Sequence, residues 1–291
     1  MEHNDCRIKP SNSNNWNSAS EYLLFLRHFA AYNFAKNFVT NKKVLEIGCG
    51  EGYGTNFLSN YCTNIIGTDI DKKIIKHASL KYKNLIFKQI NENELDFKDN
   101  SFDIIICFQV IEHINPNQLD AFLLEIRRIL KNQGIFICAT PNKRFRLLPF
   151  QKPWNSEHFK EYDHKQLKKI LNKFFSKTKI FGLYSKDDIQ KIEKNRIKQN
   201  PLTVYFLKPL FRTIKMTIPK FLLNYLLQKK IKKINHISSG LKEKQDLSFI
   251  TKYSINDFFI NNTRLLNCMD LIGIGKKHNS IIVLSILLYL A

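Results

Sequence analysis

Val44-Leu45-Glu46-Ile47-Gly48-Cys49-Gly50-Glu51-Gly52-Tyr53-Gly54 is the stretch on which the reading of this chain turns. Residues 43–47 are apolar around a single acid and read as a short buried strand. Glycines then occupy every second position from 48 to 54. At the end of a strand they let the backbone turn tightly and approach a ligand closely. A helix is expected over 53–60. The next strand, 64–69, ends in Asp69, 23 residues beyond Glu46. A carboxylate there suits a ribose diol, because it accepts from both hydroxyls.

Outward from this turn, strands and helices alternate. Further strands are expected at 85–88, 102–108, 135–139, 179–184 and 268–273. Residues 20–39 form a leading helix by their apolar spacing. Helices follow at 71–80, from a cap at Asn115 with Pro116 in the first turn to about Leu130, and over 163–174. The strands are nearly all apolar, as when helices cover both sheet faces. The fold class is therefore α/β, a doubly wound, mostly parallel sheet of seven strands. Ligands of such sheets sit beyond the carboxyl ends of the strands. The expected organisation is a flexible N-terminus (1–18), a core with its leading helix (19–184), a basic helical insertion or lid before the last strand (185–262), the final strand (263–279) and an apolar tail (280–291).

The 291 residues are 44% hydrophobic and 24% charged, enough for a sizeable core. Collagen-like, disulfide-rich and wholly disordered classes are excluded. The six cysteines form no CxxC pair and read as reduced thiols. No apolar run is long enough to span a bilayer, and the opening residues lack a leader pattern, so a cytoplasmic location is expected. The net charge is +21. Residues 1–140 contribute +1 and residues 141–291 contribute +20. A basic surface attracts anionic partners. However, 37 lysines against 9 arginines is a poor balance for specific nucleic-acid recognition.

The turn is Gly48-x-Gly50-x-Gly52-x-Gly54, not GxGxxG, and Glu46 precedes it. A carboxylate there is poor company for a pyrophosphate and good company for an ammonium. S-adenosylmethionine has a ribose, no phosphate and an amino-acid tail, so it fits better than NAD.

Four blocks carry a resemblance. They are Val44 to Gly54; Ile66-Gly67-Thr68-Asp69-Ile70-Asp71; Asn100-Ser101-Phe102-Asp103 leading to Gln109-Val110-Ile111-Glu112-His113; and Arg128-Ile129-Leu130-Lys131-Asn132-Gln133-Gly134 leading to Thr140-Pro141-Asn142. In this order they resemble the class I S-adenosylmethionine-dependent methyltransferases. The likeness is greatest to the small-molecule branch with ubiquinone-pathway and sugar- or cell-envelope-associated members. The resemblance implies a Rossmann-like fold with S-adenosyl-L-methionine as cofactor. It places Glu46, Gly48, Cys49 and Gly50 at the methionine part, Asp69 at the ribose, and Ile70 on the adenine. It also places Asn91 and Glu92 near the adenine amino group, where relatives have Gly-Asp-Ala, and Gln109 beside the sulfonium. Arg27 is expected either at the cofactor carboxylate or in solvent.

Methyl transfer from a sulfonium is an in-line displacement, helped by alignment and desolvation. A hydroxyl acceptor also benefits from a general base, for which His113 and His158 are the candidates. His158 lies in Trp154-Asn155-Ser156-Glu157-His158-Phe159, expected to line the acceptor pocket. Gln109-x-x-Glu112-His113 with the later His158 is similar to the Glu-x-x-Glu-His plus His arrangement of metal-dependent relatives. Gln109 replaces the first acid and removes a charge. No metal is therefore expected, and Glu112, His113 and His158 are the residues that would hold one.

The expected reaction is O-methylation of a small-molecule or glycan-type, including lipid-linked, acceptor. Rival readings are a nucleic-acid (RNA) methyltransferase and a non-catalytic S-adenosylmethionine-binding module. The first is disfavoured because Phe108-Gln109-Val110-Ile111 stands where an Asn/Asp-Pro-Pro-Tyr motif would lie. Residues 219–235 carry an apolar stripe flanked by lysines, fitting either a lid helix or docking on an anionic membrane surface. The twelve residues 280–291 fit a packed extension, a membrane-dipping tail or an accidental extension of the reading frame.

Overall fold

The computed structural model describes residues 16, 18–91, 94–197 and 248–278. The amphipathic stretch 219–235, the tail 280–291, Glu92 and most of the N-terminal segment lie outside the described residues.

The leading helix α1 is Ala19–Val39, and the Ser18 side chain caps it by accepting from the Glu21 amide. Trp16 is buried against Tyr22 and Phe25, so the fixed chain begins ahead of Ala19, within the segment expected to be flexible. There follow β1 (Lys43–Ile47), α2 (Tyr53–Ser59), β2 (Asn64–Asp69), α3 (Lys72–Lys81), β3 (Ile86–Gln89) and β4 (Phe102–Phe108). Next come α4 (Leu119–Ile129), β5 (Leu130–Pro141), α5 (Lys143–Arg146), α6 (His164–Phe174), β6 (Ser176–Ser185) and α7 (Asp187–Ile197). After the gap stand α8 (Ser248–Lys252), β7 (Phe258–Asn261) and β8 (Asp270–Lys276).

The strands form one sheet in the order β3-β2-β1-β4-β5-β8-β6-β7. β1 to β5 pair in parallel, and β8 lies antiparallel between β5 and β6. The expected seven strands are joined by an eighth. β7 pairs antiparallel with β6 at the sheet edge. Its four residues are too few to show a period of two, so they were read within the basic helical insertion. α4 starts later than expected, because Asn115 accepts from the Asn117 amide and closes a turn ahead of the helix. β5 runs longer than expected, through Gly134.

Both sheet faces are covered. α4 and α6 bury Leu123, Ile126, Leu167 and Leu171 on one face, while α1 and α2 bury Leu23, Ala35, Val39 and Leu58 on the other. Each fully buried leucine or isoleucine contributes about 2 kcal/mol. Cys49, Cys62, Cys107, Cys138 and Cys268 are unpaired thiols. Among the described residues no helix is long and apolar enough to cross a membrane.

Candidate active site

A cavity of about 1000 Å³ opens where β1, β2, β3 and β4 end. Its floor is the glycine turn. Gly48, Gly50 and Gly52 all have positive φ, which L residues adopt at a cost. At Gly48 a Cβ would also run into the Val110 side chain. The amides of Gly48 and Cys49 donate to the Thr68 carbonyl at 2.7 and 2.9 Å, and the Gly50 amide donates to Asp69 Oδ2 at 3.1 Å. These three N–H groups are spent inside the protein, so the turn does not present them to a phosphate. A dinucleotide cradle needs such groups free.

Glu46 corrects one expectation. It does not line the cavity. Its carboxylate lies beneath the turn, with Oε1 accepting from the Tyr32 hydroxyl at 2.6 Å and Oε2 from the Thr55 hydroxyl. Burial pushes its pKa up to about 7, against the lowering effect of the two hydroxyls. The expected direct contact with the methionine tail is replaced by support of the turn from below.

Gly48, Cys49, Gly50, Asp69, Ile70, Asn91 and Gln109 all line the cavity. Asp69 Oδ1 accepts from the Asp71 amide, so both oxygens are aimed by backbone. Ile70 is 49% exposed and offers an apolar face. Burial pushes the Cys49 thiol up, so it stays protonated. Gln109 sits at φ 56°, an uncommon backbone state for a residue with a side chain.

At the other end, a short 3₁₀ turn (Ile111–His113) follows β4. The Glu112 carbonyl accepts from the amides of Phe159 and Lys160, which pins the irregular 147–162 segment to the end of β4. This brings Glu112, His113 and His158 together, with one ligand-type atom from each within 4.8 Å of the others. The two imidazoles meet edge to face at 4.7 Å. His113 Nδ1 is 3.0 Å from the Glu157 carbonyl oxygen, and His158 Nδ1 is 2.9 Å from Glu161 Oε1. Glu112 is fully buried. Its Oε2 accepts from the Thr140 hydroxyl at 2.9 Å, while Oε1 has no partner among the described residues. Burial pushes its pKa up to about 8.

Arg27 is not solvated, but buried at the cavity wall. Its Nε and terminal nitrogen clamp both oxygens of Asp270 at 2.7 Å, and its other nitrogen reaches Glu193 at 3.3 Å. Burial alone would lower its pKa, but the two carboxylates raise it and keep it charged. Sequence reasoning missed Glu161, Arg146 and Asp270 at this site. The Glu157-His158-Phe159-Lys160-Glu161 run carried the only signal, an acid three residues after the imidazole.

Residues 45–138 match the family described as a methyltransferase domain. This part of the chain is similar to the class I S-adenosylmethionine-dependent methyltransferases, a class whose cofactor is S-adenosyl-L-methionine. A probable S-adenosylmethionine-dependent methyltransferase of Mycolicibacterium smegmatis is 32% identical over 153 residues, 53% of this chain and 59% of that protein. The ubiquinone biosynthesis O-methyltransferase of Pelagibacter ubique is 32% identical over 113 residues, 38% of this chain and 46% of that one. A SAM-dependent methyltransferase from Archaeoglobus fulgidus shares the fold, with a TM-score of 0.51 and 20% identity over 89% of this chain and 95% of that one. The chain thus spans about half the length of the curated relatives it matches.

Proposed function

We propose that the protein transfers the methyl group of S-adenosyl-L-methionine to a hydroxyl of a small-molecule or glycan-type acceptor. One observation carries the reading. A single cavity has Asp69 and the phosphate-averse glycine turn at one end, and Glu112, His113 and His158 at the other. In this reading Asp69 takes the ribose hydroxyls, Ile70 and Asn91 meet the adenine, and Gln109 stands beside the sulfonium. The acceptor oxygen attacks the methyl carbon in line. The carbon–sulfur bond breaks and its electron pair returns to sulfur, leaving a neutral thioether. His158 receives the hydroxyl proton at Nε2, since Glu161 holds Nδ1 and fixes the ring. The O-methyltransferase among the relatives supports oxygen as the acceptor atom.

The test is calorimetry with S-adenosylmethionine, followed by a screen of small hydroxylated acceptors with labelled methyl donor. Tight cofactor binding with label in an ether product is expected. NADH binding in its place would overturn the reading.

A second reading has its own support. Both imidazoles have Nδ1 set against an oxygen acceptor, as metal-ligating histidines usually do, and Glu112 Oε1 lacks a partner among the described residues. These three residues would hold a divalent cation, which would supply Lewis-acid stabilisation of the acceptor oxygen. Loss of activity on chelation, restored by magnesium or zinc, would favour it over a base alone.

A further inference from the structure

One guanidinium on the cavity wall is not accounted for by the fold. Arg146, at the end of α5, is 9% exposed and lines the cavity together with His158. Its Nε is sealed from solvent and lacks a hydrogen-bond partner, and none of its nitrogens donates a hydrogen bond among the described residues. Its ion pair with Glu161 is long, 3.5 Å, and Glu161 Oε1 is already engaged by His158. The neighbouring arginines differ. Arg27 is saturated by Asp270 and Glu193, and Arg196 makes a two-pronged contact with Glu193. A buried guanidinium held only by one long ion pair is costly unless something else supplies acceptors.

Two further features surround it. The Trp154 ring, 40% exposed, lies 4.6 Å from the Arg146 guanidinium carbon and 6.0 Å from that of Arg196. His28 also lines the cavity. Burial and the charges of Arg27, Arg146 and Arg196 hold its pKa well below the usual imidazole value, so it stays neutral and does not compete for an anion as a cation would.

We infer that the methyl acceptor carries an oxyanion, a carboxylate or a phosphate, seated on Arg146 with Arg196 alongside and its body against the Trp154 ring. The inference rests on the proposed methyl transfer and narrows its substrate class. Either oxyanion supplies two oxygens that accept in parallel from a guanidinium fork, a partner that Arg146 lacks here. Because Glu161 touches both Arg146 and His158, an acceptor anchored at Arg146 would have its hydroxyl brought towards the imidazoles.

The test uses the full chain with Trp16→Phe, which leaves Trp154 as the sole tryptophan emitter. Its fluorescence is titrated with benzoate, phenyl phosphate and the neutral benzamide. Saturable changes are expected with at least one anion, at least 10-fold tighter than with benzamide, and the tighter anion identifies the group. Arg146→Gln should weaken the anion by about 10- to 100-fold and leave benzamide unaltered. Arg146→Lys should recover only part of the loss. Lys173→Gln, on the outer surface, should change nothing. Equal binding of benzoate, phenyl phosphate and benzamide would overturn the inference, as would a folded Arg146→Gln that binds anions normally. If Arg146→Gln does not fold, the anion-to-benzamide ratio and the partly exposed Arg196→Gln decide in its place. Calorimetry with S-adenosylmethionine on the same samples separates the two levels. Anion indifference with cofactor binding intact sinks this inference alone, whereas loss of cofactor binding sinks methyl transfer.

Discussion

The Tyr32 hydroxyl of α1 donates to Glu46 of β1 at 2.6 Å, directly under the glycine turn. The leading helix therefore helps set the height of the cavity floor. Tyr32→Phe would leave Glu46 with Thr55 as its remaining hydroxyl and raise its pKa further above about 7. A cost of about 1–3 kcal/mol in stability is expected. Denaturant titration reads that loss. Calorimetry should show weaker S-adenosylmethionine binding, and unchanged affinity would mean that the turn holds its shape unaided.

The pH dependence of stability should run against the usual direction for carboxylates. Glu46 and Glu112 have folded pKa values of about 7 and about 8, above their ordinary 4.5. Between those limits the folded chain keeps protons that the unfolded chain has released, so stability falls as pH rises. His28 acts oppositely, being lowered below 6.5, but its contribution is complete above that pH. The interval from about 7 to about 8 therefore carries the Glu112 titration and the upper half of that of Glu46. Urea midpoints should drop across it, and Glu112→Gln should flatten the drop. A flat profile in the unsubstituted protein would remove the case for a protonated Glu112.

Asp69→Asn keeps the shape of the side chain but loses its charge and one acceptor. Cofactor affinity should fall about 10- to 100-fold, because hydrogen bonds to charged groups are worth about 1.5–3 kcal/mol. Gly48→Ala should be worse, since its φ of +76° is strained for alanine and Val110 fills the space of a Cβ. Calorimetry on folded samples checks both.

His158→Ala should lower kcat by about 10²- to 10⁴-fold, the usual range for a lost general base, while cofactor affinity holds. Glu161→Gln should fall between His158→Ala and the unsubstituted enzyme, because the ring keeps a hydrogen bond but loses the orienting charge. Initial rates with a responsive acceptor decide. If His113→Ala is the more damaging change, the proton goes to the other imidazole.

Asp270→Asn removes the charge that neutralises Arg27 inside the protein. Breaking one side of a buried pair costs about 3–5 kcal/mol. A loss in the range seen for exposed pairs, under about 1 kcal/mol by denaturant titration, would show that water reaches this pair.

Much of the core was legible because it is written locally. The strands 43–47, 64–69 and 102–108 are continuous apolar runs, and β1, β2 and β4 occupy them. Asp69 could be placed from spacing alone, since a strand end fixes where its last side chain stands. Glu46 could not, because its partner Thr55 follows the turn and Tyr32 belongs to another element. Arg27 failed for the same reason, with Asp270 243 positions away and no local pattern joining them. The Glu112–His113–His158 grouping was legible as a motif. That the Glu112 carbonyl would pin the second histidine's segment was not, as backbone bonds between loops leave no mark in residue types.

The Arg27–Asp270 clamp also orders events during synthesis. The helix bearing Arg27 is made 243 positions ahead of its partner Asp270. Until β8 follows, the guanidinium has only Glu193 as a buried counter-charge, and the half-built sheet has an open edge at β5. Codon changes that slow translation before residue 270 should lengthen that exposure without altering the finished protein.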